Sequence, residues 1–164
     1  MKPPLLSRPA RRARQSGAAI IELALVLPFL LLLCTGVLEA GRAIYMYKRL
    51  VHQAELGARF LSSQEPLSVD APGQAECLVY AGLQQSIATC PATPLIPGLT
   101  LDQVSVVTAE TVSYSSGAGR TMNIATVKIT GYQYPLVTGA IWKSFFGSGS
   151  IAFGEISVSM RQTR

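Results

Sequence analysis

The chain has a single histidine, His52, and this limits the nucleophilic and acid–base chemistry that it could support. A serine or cysteine nucleophile needs a general base within hydrogen-bond reach, and that base is most often histidine. His52 lies among Lys48, Arg49 and Glu55 in a segment of helical periodicity, and no local motif links it to a nucleophile. The sequence therefore predicts a non-enzymatic protein without catalytic residues, and a solvated helix position for His52.

The cysteines and glycines offer no metal or cofactor site. Zinc sites use closely spaced cysteine pairs, whereas Cys77 and Cys90 are too far apart for a C-x-x-C pair and no second pair exists. Gly117-Ala118-Gly119 lies in a predicted hairpin connection and not between a strand and a helix, so it is no phosphate-binding loop. We predict that the protein binds neither a metal nor a cofactor.

Glu22 is the one charged residue in an apolar run, residues 18–38 (AAIIELALVLPFLLLLCTGVL). As a helix this run is about 31 Å long, close to the ~30 Å hydrocarbon thickness of a bilayer. A carboxylate there costs about 2.5–3.5 kcal/mol and is normally paired and functional. Cleavage after Gly17 would give Ala18 a free α-amino group that could neutralise Glu22 of an adjacent copy, and glycine lets a peptidase approach the backbone. Alternatively, Gly17 is a loop glycine and Glu22 snorkels to the inner interface.

The formal charge of +5 belongs to the N-terminus. Residues 1–17 hold five bases and no acid: Lys2, Arg8, Arg11, Arg12 and Arg14. The other 147 residues (164 − 17) hold nine bases and nine acids, which sum to zero. Nucleic-acid binding is therefore not predicted. Because cationic flanks stay on the cytoplasmic side, the N-terminus should be inside and the remainder outside.

Three other N-terminal segments share part of this pattern. A secretory signal peptide has a shorter apolar core and a small-x-small cleavage site, which Leu38-Glu39-Ala40-Gly41 matches poorly. A lipoprotein signal has a small residue before its cysteine, whereas Leu33 precedes Cys34. An uncleaved signal anchor explains the leader and the length of the run, but not the placement of Gly17 and Glu22.

The segment RRARQSGAAIIELALVLP, residues 11–28, resembles the N-terminus of TadE-like pseudopilins. These are minor pilin-like subunits of the tight-adherence (Flp, type IVc) pilus machinery of bacteria. The resemblance covers residues 11–42 and includes Gly36-x-x-Glu39-x-Gly41-Arg42, while Leu23 stands where the family usually has an aromatic residue. It is weaker over the C-terminal strands.

The resemblance implies cleavage between Gly17 and Ala18 by an inner-membrane prepilin peptidase, with Glu22 in the role of the pilin glutamate. It also implies a single-pass inner-membrane protein with a cytoplasmic N-terminus and a periplasmic domain, which could enter a surface pilus. The implied partners are the membrane, the peptidase, the pilus assembly platform, the Flp pilin and other pseudopilins such as a TadF-like protein. The alternative is an uncleaved, single-pass periplasmic binding or scaffold domain unrelated to pili.

The rest of the chain predicts an α+β, pilin-like fold, in which a long N-terminal helix packs on a small antiparallel sheet of about three strands, with a short second helix. Small or apolar residues spaced 4-3-4-3-4-3 continue the helix to residue 63: Ala40, Ile44, Tyr47, Val51, Ala54, Ala58 and Leu61. This spacing permits a coiled coil, but an alanine-rich stripe suits packing on a sheet better. The predicted parts are a leader (1–17), a transmembrane helix (18–41), its continuation (42–63) and a periplasmic domain (64–164).

Within that domain the patterns predict a helix over about 72–88 and strands over 103–114, 122–134 and 150–161. Residues 136–146 could be an amphipathic helix or an aromatic-rich loop. Several aromatic residues could line a subunit contact, although core packing is favoured: Tyr132, Tyr134, Trp142, Phe145 and Phe146.

Cys77 and Cys90 could form a disulfide in an oxidising compartment. An unbroken helix over 77–88 would hold their Cα atoms beyond the ~7 Å limit. Three alternatives stay open: Gly82 breaks the helix, the chain doubles back later, or no bridge forms. Cys34 is expected to be inert in the membrane segment.

Overall fold

The computed structural model describes residues 15–65, 68–114 and 120–162, and in these ranges it shows three α-helices, two short 3-10 helices (Ile87–Thr89 and Leu101–Gln103) and five strands. The helices are α1 (Gln15–Ser63), α2 (Ala71–Ala81) and α3 (Gly139–Phe146). The strands are β1 (Val104–Tyr114), β2 (Arg120–Ile129), β3 (Gln133–Pro135), β4 (Ser150–Ala152) and β5 (Ile156–Arg161). The fold is the predicted α+β arrangement of a long N-terminal helix, a short second helix and a small antiparallel sheet.

The chain divides into two compact units, the first ending at Ala40 and the second beginning at Gly41. In the first unit the described residues belong to α1, and residues 1–14 of the predicted leader lie outside the described residues. The helix is long and apolar enough to cross a membrane, and none of its most apolar window is buried. Large side chains point outward around the helix, as in Ile21, Phe29 and Leu33, which is typical of a membrane-spanning segment.

In the second unit the remainder of α1 packs into the core of an α/β domain. Its fully buried residues are Leu50, Ala54, Ala58 and Leu61, in one hydrophobic cluster with residues of α2, β1, β2 and β5. A Cβ on Gly57 would lie 2.5 Å from Cγ2 of Val79 in α2 and 3.5 Å from Cγ2 of Val127 in β2. The absence of a side chain at Gly57 therefore lets α1 approach both elements closely.

The predicted stripe on α1 is correct toward its end and wrong toward its start. Ala54, Ala58 and Leu61 are buried, but Ala40, Ile44 and Tyr47 are exposed, and the face is continued instead by Leu50 and Ala43. The predicted stripe has a strict seven-residue repeat, and such a repeat drifts by about 20° per heptad around a straight helix.

The main sheet has the strand order β1-β2-β5, with both pairs antiparallel. β1 pairs from Val104 opposite Ile129 to Tyr114 opposite Arg120, with an irregularity between Val107 and Glu110. The predicted hairpin connection, residues 115–121, lies mostly outside the described residues. The sequence over 150–161 predicts one apolar face made of Ala152, Ile156, Val158 and Met160. β5 keeps this alternation, since Ile156 is buried and Val158 and Met160 are half-buried while the serines between them are exposed, but Ala152 is exposed in β4. The sheet thus turns one apolar face to α1.

Two of the predicted strands are interrupted. The predicted strand over 122–134 becomes β2 and β3, separated at Gly131, whose φ of 71° breaks the extended backbone. The predicted strand over 150–161 becomes β4 and β5, separated by residues 153–155. β3 and β4 pair antiparallel as a small second sheet, and α3 connects them. Residues 139–146 are therefore a helix and not a loop.

Candidate functional site

The predicted cleavage position lies inside α1. Gly17 is the third residue of the helix and has no positive φ, so it is not the loop glycine of the alternative interpretation. A Cβ at Gly17 would meet no atom within 4 Å. Glycine inside a helix costs about 0.5–1 kcal/mol relative to alanine, and neither backbone geometry nor packing requires it here. Gly17 and the exposed Ala18 thus lie on an accessible part of the helix.

Glu22 projects from the same exposed segment of the first unit. Its neighbours Ile21 and Leu23 are 65% and 63% exposed, so the carboxylate lies on an apolar surface that the described residues do not cover. No salt bridge joins Glu22 to a described residue. A carboxylate in this position is stable in a membrane only with a partner or access to the interface.

Cys77 and Cys90 are joined by a disulfide in the second unit, with their Cα atoms 5.7 Å apart. The predicted helix over 72–88 is wrong beyond Ala81. Gly82 takes a left-handed conformation (φ 75°), and its N–H donates to the Leu78 carbonyl, which ends α2. Gly82 therefore breaks the helix and lets the chain return to Cys77. Cys34 is a free, exposed cysteine in the first unit.

The segment that follows α2 runs back along this helix and is held there by hydrogen bonds. The backbone N–H of Leu95 donates to the Tyr80 carbonyl at 2.8 Å, and the Tyr80 hydroxyl donates to the Ala92 carbonyl at 2.8 Å. Together with the disulfide, these contacts fix the segment against α2, so that Ile96 and Leu99 enter the core.

The aromatic residues that the sequence assigned to the core or to a subunit contact divide into two groups. Tyr132 and Tyr134 are each 1% exposed, and their ring centroids lie 5.6 and 6.1 Å from that of Phe153. The Tyr132 hydroxyl donates to the Pro97 carbonyl at 2.8 Å. These two tyrosines thus belong to the core. The side chains of Trp142, Phe145 and Phe146 lie outside the described residues.

The titratable side chains of the described ranges do not assemble into a reactive site. His52 is exposed on α1. No group of three or more His, Cys, Asp or Glu side chains in the described ranges could hold a metal ion. Burial raises the pKa of the Glu76 carboxyl in α2, while the backbone N–H of Val106, which donates to it, lowers the pKa by less.

Two buried glutamines were not predicted from the sequence. Gln53 is 9% exposed and Gln162 is 6% exposed, and Oε1 of each has no hydrogen-bond partner among the described residues. Nε2 of Gln162 donates to the Leu61 carbonyl at 3.3 Å, at the end of α1. A signal for Gln53 was present in the sequence, because it lies three residues after Leu50 and four before Gly57, and these spacings place the three on one face of the helix.

These features define an α/β domain that continues from one apolar helix long enough to span a membrane. A family model described as TadE-like protein matches residues 17–59. The match confirms the resemblance of this segment, which begins at Gly17 and includes Glu22 and most of α1. No curated protein and no solved structure matches the chain.

Proposed function

We propose that the protein is a membrane-anchored pseudopilin, or minor pilin, of the tight-adherence (Flp) pilus machinery. A prepilin peptidase cleaves it after Gly17, and the mature subunit takes part in pilus assembly or adhesion. Its N-terminus is cytoplasmic, and its α/β domain lies in the periplasm. The partners are the assembly platform, the Flp pilin and other pseudopilins such as a TadF-like protein. The observation that carries the proposal is the TadE-like match over residues 17–59.

The exposed surface of the first unit supports this role. A helix that is apolar all round must be covered by lipid or by other helices. In the inner membrane the cover is lipid, and in a pilus it is the corresponding helices of neighbouring subunits. A purely lipid-facing helix would have no use for Glu22, which does have a use where helices pack together.

Glu22 and the proposed new N-terminus form the working pair. Cleavage leaves a positive α-amino group on Ala18, four residues before Glu22. The amine of one copy neutralises the carboxylate of the next, so an acid that is costly alone sets the register between two subunits. The glycine at position 17, which neither packing nor backbone geometry requires, is explained as the residue that the peptidase must accommodate.

Intact-mass analysis of the membrane fraction tests the cleavage. In cells with an active prepilin peptidase we expect a chain of 147 residues (164 − 17) that begins at Ala18. Cells without the peptidase should retain the full chain. Gly17→Leu should block cleavage, because a bulky side chain prevents close approach to the scissile bond. Gly41→Leu is the matched control, since a Cβ on Gly41 also meets no atom within 4 Å.

A full-length wild-type chain in the presence of active peptidase would contradict the proposal. It would favour the uncleaved, single-pass binding or scaffold domain. Unimpaired cleavage of Gly17→Leu would show that the cut lies elsewhere.

Glu22→Ala tests the pairing. We expect a large loss of pilus biogenesis with an unchanged unfolding midpoint of the α/β domain, because Glu22 lies in the other compact unit. Glu55→Ala removes an exposed acid of the same helix outside the apolar run and should leave biogenesis intact. Normal piliation of the Glu22→Ala strain would rule out this role for the carboxylate.

A further inference from the structure

One face of α1 in the second compact unit forms a shallow surface groove of about 290 Å³. Five residues at helical spacings i, i+3, i+4, i+7 and i+8 line it: Tyr45, Lys48, Arg49, His52 and Gln53. Residues with these spacings share one side of a helix. The groove is small for a drug-sized ligand, and its volume suits a compact polar group.

The lining of the groove is rich in hydrogen-bond donors and carries positive charge. The ammonium of Lys48 and the guanidinium of Arg49 supply eight N–H donors between them and accept none. The guanidinium is held in place, because Nη2 donates to the Leu95 carbonyl at 3.3 Å and Cζ lies 5.9 Å from the centroid of the Tyr45 ring. No acid lines the groove. The complementary ligand is therefore an anion with several acceptor oxygens.

Gln53 also lines the groove, but its unpartnered oxygen is not part of the accessible lining. The residue is 9% exposed, and its Oε1 is itself buried and has no donor among the described residues. The recognition of a ligand therefore depends on the accessible donors of Lys48 and Arg49.

The position of the groove in the sequence indicates where such a ligand comes from. Tyr45 follows Leu38, the last residue of the apolar run, by seven residues, and Lys48 follows it by ten. Basic residues this close to the end of a membrane span lie near the phosphates of the lipid headgroups. Long basic side chains also extend toward the interface.

We propose that this groove binds the headgroup of an anionic glycerophospholipid of phosphatidylglycerol type. The phosphate accepts hydrogen bonds from Lys48 and Arg49. An ethanolamine headgroup fits less well, because its ammonium is repelled by the two cations of the groove. This inference rests on the membrane anchorage in the proposed function, but not on cleavage or on a pilus.

Native mass spectrometry of the full chain in detergent tests the proposal. The protein is titrated with phosphatidylglycerol and, separately, with phosphatidylethanolamine of the same acyl chains. We expect phosphatidylglycerol to be retained at least tenfold more strongly. Lys48→Gln should weaken its binding about tenfold, as expected for the loss of one charged hydrogen bond. Arg59→Gln, which removes an exposed cation of the same helix outside the groove, should have no effect.

Equal retention of the two lipids, or wild-type binding by Lys48→Gln, would overturn the proposal. So would displacement of the lipid by glycerol phosphate at equal concentration, which would indicate a site for a free phosphate.

The lipid titration and the test of cleavage can fail independently. Lipid selectivity is measured on cleaved and uncleaved chains alike, so an intact N-terminus would refute processing and leave the groove untouched. Loss of selectivity in a correctly cleaved chain would refute the groove alone.

Discussion

The two parts of α1 have surfaces of different character although they belong to one helix. Before Gly41 the helix carries large apolar side chains that are exposed around its circumference, such as Phe29 at 78% and Leu33 at 65%. After Gly41 one side is fully buried and consists largely of small residues, including Ala54 and Ala58. The size of the side chains on each part of α1 thus matches what surrounds that part. Large side chains suit a fluid or exchangeable environment, and small ones let the helix lie close to its own domain.

The two parts of α1 also differ in what they contribute to the stability of the α/β domain. The leucine-rich surface of the first unit is exposed among the described residues, so we expect it to add little to the folding of the second. The stability of the second unit depends instead on the packing of α1 against α2 and β2. Equivalent substitutions in the two regions should therefore have very different effects on unfolding.

The largest difference is expected for leucine truncation. Leu50→Ala removes a side chain that is fully buried and should lower the free energy of unfolding by about 2–5 kcal/mol. Leu33→Ala removes a side chain that is 65% exposed and should leave the unfolding of the α/β domain unchanged. Urea unfolding of the full chain in detergent, followed by near-ultraviolet circular dichroism, measures both. Similar losses would show that the first unit contributes to the stability of the second.

Glycine replacement should give effects of opposite sign. In Gly57→Ala the new Cβ meets Cγ2 of Val79 at 2.5 Å, and Val79 is fully buried, so we expect a loss of about 1–3 kcal/mol. In Gly41→Ala nothing lies within 4 Å of the new Cβ, and we expect a gain of about 0.5–1 kcal/mol from helix propensity. The same urea titration measures both. A stable Gly57→Ala variant would mean that Val79 and α2 can shift without cost.

The smallest effect concerns the pH dependence of stability and Glu76, a half-buried acid of the second unit. Burial raises the pKa of Glu76, so the native state holds this proton more tightly than the unfolded state does. Ionisation of Glu76 therefore lowers stability as pH rises from about 4.5 through the folded-state pKa. Glu76→Gln keeps an acceptor for the Val106 N–H and removes this loss. We expect the variant to be slightly more stable at pH 7 and equal to the wild type below pH 4.

Unfolding titrations at pH 4, 5.5 and 7 measure this difference. A stability difference that is independent of pH would show that the substitution acts through packing and not through the carboxyl group.

The features that the sequence predicted well depend on local pattern and composition. Two examples are the apolar run with its single acid, Glu22, and the alternation from Ile156 to Met160. Each depends only on the surroundings of one segment, and the structure has the expected helix and strand there. Element boundaries were less accurate. Gly82 and Gly131 end elements because they take positive φ values, and glycine permits that conformation without requiring it. The sequence could therefore not settle where α2 and β2 end.

The contacts between distant segments could not be predicted. The choice of Leu50 over Val51 for the buried face depends on how α1 rotates against the sheet, which no local spacing determines. The burial of Gln53 and Gln162 likewise depends on segments that are far apart in the sequence. An alanine-rich helix face signals close packing, but it does not identify the element against which it packs.

The hydrogen bond from Gln162 to the Leu61 carbonyl joins residues 101 positions apart, and it has a consequence for biogenesis. In the proposed orientation, with a cytoplasmic N-terminus, Leu61 is exported long before Gln162. The end of the first helix and the third strand of the main sheet are therefore completed only when translocation has reached residue 162. Until then the newly exported domain exposes an unfinished core, a period in which a chaperone or a waiting partner could bind it.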